Sequence, residues 1–70
     1  MTTGVMRALI RHSGSALFLA DNKWVLNRLD ALNFMNSLSA LHFADKGRLK
    51  DIEIVLDFGN PRYDVVLHVV

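Results

Sequence analysis

The 70-residue chain has no cysteine, one proline and four glycines, and each scarcity removes a class of structure. Without cysteine there is no disulfide framework, no CxxC redox pair and no thiolate zinc site. The glycines stand alone at Gly4, Gly14, Gly47 and Gly59, so no phosphate-cradling loop is built from them. No apolar run approaches the ~20 residues of a membrane-spanning helix. Charge of one sign is also missing. The net formal charge is +1, well short of the basic excess of a dedicated nucleic-acid binder. That small charge and a mean hydropathy of +0.24 are the opposite of a disordered composition.

What is present is more apolar side chain than a small domain readily hides. Hydrophobic residues make up 51% of the chain, yet a chain near this length buries only about 60% of its unfolded surface. With no disulfide or cysteine-held metal, oligomerisation is the remaining means of stabilisation. The chain reads as one complete domain, residues 1–70, without linker, repeat or low-complexity tail. Arg7 and Arg11 ahead of Ala16-Leu17-Phe18-Leu19-Ala20 faintly imitate a secretory leader, but the apolar stretch is shorter than the usual 7–15 or so residues. The expectation is a soluble cytoplasmic protein that does not bind membranes.

Alternation of period two places strands over residues 5–12 and 15–20, joined at Ser13-Gly14 with Gly14 supplying a positive φ. Pairing His12 with Ser15 sets Ile10 opposite Leu17 and Ala8 opposite Leu19. Arg7, Leu9, Arg11 and Phe18 fall on the other face. Asp21-Asn22 marks a turn, and Lys23 to Leu26 suits a short third strand. Asn27 is a good N-cap, and neither Pro nor Gly occurs from there to Lys46, with Gly47 as a stop. One helix of nearly 30 Å is expected over that span.

The apolar residues of that span fall on two sides. Leu29, Leu32, Ala40 and Phe43 share one, while Ala31, Phe34, Leu38 and Leu41 share the other, with Met35 between. A helix apolar on two sides is buried on two sides, which makes Ala31, Phe34, Met35, Leu38 and Leu41 the expected dimer interface. The alternative is a break near Asn36-Ser37 that re-aims the stripe.

The last third alternates most cleanly. Ile52, Ile54, Leu56 and Phe58 oppose Asp51, Glu53 and Asp57, and Tyr63, Val65, Leu67 and Val69 alternate through to Val70. Pairing Phe58 with Tyr63 would set Asp57 against Asp64, a like-charge contact. Pairing Gly59 with Asp64 avoids it and puts Pro61 second in a turn opened by Asn60. That register is expected, with Phe58 opposite Val65 and Ile54 opposite Val69. The fold class is α+β: a mostly antiparallel sheet of four or five strands with one helix on one face. The inner face is expected to comprise Met6, Ala8, Ile10, Leu17, Leu19, Ile52, Ile54, Leu56, Phe58, Val65, Leu67 and Val69.

Chemistry-bearing constellations are few. In the expected register His68 faces Val55 and lies diagonally from Glu53 and Asp57, and in the other it faces Glu53; either way flanking carboxylates make a charge cluster that favours its protonated form. A strand face by itself supplies no cleft or third catalytic group. The spacing of His12, His42 and His68 fits no metal motif, and no nucleophile motif surrounds any serine. No cofactor or catalytic residue is expected. Arg7, Arg11 and Phe18 make a small basic face with an aromatic for stacking, which neighbouring acids are expected to neutralise. Trp24 suits a core plug or an interface anchor. The leading expectation is a non-enzymatic homodimer that binds and modulates a protein partner. A nucleic-acid-binding regulator using Arg7, Arg11 and Phe18 is the alternative. A small enzyme, toxin or ligand binder with His42 or His68 at the subunit interface comes third.

Overall fold

Strand β1 (Arg7–His12) lies at the centre of the computed structural model, which describes residues 6–69. Around it are β2 (Phe18–Ala20), β3 (Lys23–Val25), β4 (Ile52–Asp57) and β5 (Val65–His68), in the order β3-β2-β1-β4-β5. Every neighbouring pair is antiparallel. One helix, α1 (Ser37–Lys46), packs on the inner face against β1 and β4. The architecture is the α+β arrangement that the alternation implies. Val5 and Val70, read as strand ends, lie outside the described residues.

The helix is half the expected length, and the break falls at Asn36. Its side-chain oxygen accepts from the Ser39 N–H at 2.8 Å, which satisfies a donor at the helix start and fixes the N-cap. Asn27 does cap a helical turn, but only the 3₁₀ turn Arg28–Asp30, where it accepts from the Leu29 N–H. After that turn the chain leaves helical conformation, with Ala31 and Asn36 extended and Phe34 bridged to β1. Phe34 exchanges both main-chain hydrogen bonds with Ala8, at 3.0 and 2.9 Å, and so takes the place beside β1 that β2 is too short to fill. At its other end α1 closes through Leu49 N–H to Ala44 O and Arg48 N–H to Asp45 O. The left-handed residue there is Arg48, φ 53°, rather than Gly47.

Both hairpins keep their faces but not their registers. Arg11 pairs with Phe18, two residues beyond the expected alignment, because Ser13–Ala16 form a wider loop. Ala16, not Gly14, carries its positive φ, 62°. In the second hairpin Leu56 pairs with Val65 and Ile54 with Leu67, the alignment disfavoured for its like charges. The turn itself forms as expected, with Asn60 O accepting from Tyr63 N–H across Pro61.

The core has two layers. On the inner face Ala8, Ile10, Leu19, Ile52 and Ile54 meet Ala40 and Ala44 of α1. On the outer face Leu9, Phe18 and Val55 are covered by Ala31, from the segment that crosses the sheet. Several expected core residues stay exposed. Leu29 projects from the 3₁₀ turn, Phe43 lies on a flank of α1, and Phe58, Val65 and Leu67 lie where no helix reaches.

Candidate interaction surface

Small residues face the sheet from α1, so the helix sits low over β1 and β4. Its reach ends there. The inner-face side chains of β5, Val65 and Leu67, remain 44% and 39% exposed. Leu38 and Leu41, on the adjoining flank of the helix, are 60% and 39% exposed. Between them lies a cavity of about 420 Å³ lined by Ser37, Leu38, Leu41, Ile54, Leu67, His68 and Val69. A second, of about 430 Å³, continues past Leu41 and Val69 to Leu49 and Ile52, with His42, Asp45 and Arg48 also lining it. The two share Leu41 and Val69 and make one trough along α1, apolar beside Leu38 and Leu67 and edged by His42, Asp45 and Arg48 at the other end.

The residues expected to make a dimer face separate. Ala31 is buried on the outer face of the sheet, and Phe34 packs on the inner core beside Phe43, ring centroids 5.2 Å apart. Ala31 is withdrawn from the surface and Phe34 is half-buried, because residues 31–35 are not helical. Met35 is 88% exposed, ahead of the Asn36 cap. Leu38 and Leu41 alone fall in the trough. Leu67 completes it, with Val65 exposed further along β5, and the alternation predicts both as core.

The basic face is neutralised from within. Arg7 hydrogen-bonds Asp57 and Asn33, and Arg11 Nε donates to Glu53 Oε2 at 2.6 Å. Arg28, not singled out by its sequence context, donates from both terminal nitrogens to Asp64 at 2.9 and 2.8 Å. It also lies 3.5 Å from Asp57. Phe18 is buried, with the Arg11 and Arg28 guanidinium groups 5.9 and 5.3 Å from its centroid. Burial opposes the Asp57 charge, but hydrogen bonds from Arg7 and the Gly59 N–H, with the charges of Arg7 and Arg28, hold its pKa below the ordinary value. The hydrogen-bonded Asp64 carboxylate raises the Arg28 pKa.

His68 extends this cluster at the rim, its Nδ1 3.7 Å from Glu53 Oε1 and its side chain 80% exposed. Trp24 stands edge-on to His12 at 5.6 Å. His12 Nδ1 accepts from the Ser15 N–H, with Ser15 Oγ 3.2 Å away. This histidine–serine contact ties an exposed loop, and among the described residues no carboxylate hydrogen-bonds the ring. Among the described residues no group of three His, Cys, Asp or Glu is placed to hold a metal. No described helix is long and apolar enough to cross a membrane.

An open-edged α+β domain with one uncovered strip of inner sheet is the class that the fold and surface define. Comparison with protein-family models, curated proteins and solved structures finds no match to the chain.

Proposed function

We propose that the chain is a small non-enzymatic interaction module that works as a homodimer and engages a protein partner through the α1–β5 trough. One observation carries this reading: α1 covers β1 and β4 and leaves the inner face of β5 bare beside Leu38 and Leu41. Monomers rarely leave a contiguous apolar strip of this kind in water without a binding role for it. Recognition of nucleic acid draws no support from Arg7, Arg11 and Arg28, since each is already paired with a carboxylate.

Sedimentation velocity across micromolar concentrations tests the self-association. A dimer is expected for the natural chain and a folded monomer for Leu67→Asp; a natural chain that stays monomeric throughout overturns the reading. For the partner, Leu38→Asp/Leu41→Asp is expected to stay folded and lose whatever protein the tagged natural chain retains in its host. Equal retention by both would remove the trough from that role.

A further inference from the structure

We infer that the second copy joins along β5, edge to edge and antiparallel, with Val66 on the two-fold axis and the two sheets merged into one of ten strands. The inference rests on the dimeric reading above and adds its geometry.

The direction of the free backbone groups follows from the hydrogen bonds. Ala8 directs its N–H and C=O to Phe34, away from β4. Main-chain groups alternate sides along a strand, so Leu9 points to Val55, Ile54 and Leu56 point to β5, and Leu67 and Val65 answer them. Val66 and His68 therefore present their N–H and C=O at the outer edge. No strand covers that edge among the described residues. The two edges of the sheet are guarded differently. β3 is three residues long and begins with Lys23, features that discourage edge pairing. From Val65 to His68 there is neither lysine nor proline.

Charge selects the alignment. Asp64 precedes the strand and His68 ends it, both on the outer face. With Val66 opposite its own copy, Asp64 faces His68 of the other chain at both ends, and Val65 faces Leu67 across the apolar side. Val66 exchanges two main-chain hydrogen bonds across the axis, and the Asp64 C=O receives the other chain's His68 N–H. Sliding by two residues in either direction loses the acid–histidine pairs. The merged sheet sets the two α1 axes four strand spacings apart, about 19 Å. Packed helices stand ~8–10 Å apart, so an apolar channel stays open between them for the partner segment.

The absence of cysteine makes the register directly testable. Val66→Cys places two thiols across the axis, with Cα atoms about 5.5 Å apart, inside the range a disulfide spans. His68→Cys places them four residues out of step. Mild oxidation is expected to give a covalent dimer of V66C and none of H68C. Hydrogen exchange on the natural chain provides a check free of substitution: the Val66 and His68 amides gain protection with rising concentration, whereas the Val65 and Leu67 amides are protected throughout. A dimer in which V66C does not cross-link and those amides stay unprotected overturns this register while leaving the homodimer standing. A monomer at all concentrations overturns both.

Discussion

Arg28 and Asp64 face each other through two parallel hydrogen bonds, and this contact ties the segment after β3 to the start of β5. It also explains the second hairpin. Asp57 and Asp64, opposed by the observed register, share the Arg28 guanidinium between them. Arg28→Ala leaves both acids short of a partner, and a loss of about 2–3 kcal/mol is expected in urea unfolding. Arg28→Lys keeps the charge without the fork and is expected to recover less than half of it.

Acid should weaken the fold through Asp57. Its pKa is depressed in the folded chain, so its contribution is complete above the unfolded value of about 3.9 and is lost as pH falls through the folded value. Urea titrations between neutral pH and pH 2 are expected to show stability falling below about pH 4. Asp57→Asn is expected to be less stable at neutral pH and to flatten that acid limb. An unchanged limb would place the acid sensitivity elsewhere.

Leu9 is completely buried on the face that also carries Arg7 and Arg11. Leu9→Ala is expected to cost about 2–5 kcal/mol, the range of large-to-small substitutions in cores, and to match Ile10→Ala on the opposite face. A sheet with a single core layer would spare the Leu9 variant.

The Asn36 cap marks where the long helix fails. Asn36→Ala is expected to lower stability by about 1 kcal/mol, while Asn36→Ser keeps a capping oxygen and most of the stability. Thermal unfolding followed by circular dichroism separates them.

Four described non-glycine residues take left-handed backbone, Asn22 and Asp51 together with Ala16 at φ 62° and Arg48 at φ 53°, and the last two carry side chains that gain nothing from it. Glycine adopts this conformation without the roughly 1–2 kcal/mol that an L side chain incurs. Ala16→Gly and Arg48→Gly are each expected to raise the unfolding midpoint in thermal unfolding, and an unchanged midpoint would mean the left-handed residues cost nothing there.

Which side chains face inward was legible from alternation, because a slip of two residues changes partners without changing faces. Ala8, Ile10, Leu19, Ile52 and Ile54 all lie where the pattern puts them. Register was not legible, because it depends on Arg28, far from the hairpin in sequence. The helix break had a signal in the two caps, Asn27 and Asn36, and in an apolar pattern that fits no single stripe. What decides it is tertiary: Ala8 has hydrogen-bonding groups that only an extended Phe34 satisfies. Of the candidate interface, Leu38 and Leu41 were visible from the pattern, whereas the exposure of Val65 and Leu67 depends on where α1 stops.

The seam between β1 and β4 sets the order in which this chain can be completed during synthesis. The principal neighbour of β1 is made 40–50 residues after it, as the pairs His12–Ile52 and Arg7–Asp57 require. At ~5–20 residues per second, that delay is roughly 2–10 s. Through that interval the first hairpin can form, but the edge of β1 meant for β4 has no native neighbour. The central strand of the finished sheet is thus, while the chain is being made, its most exposed edge.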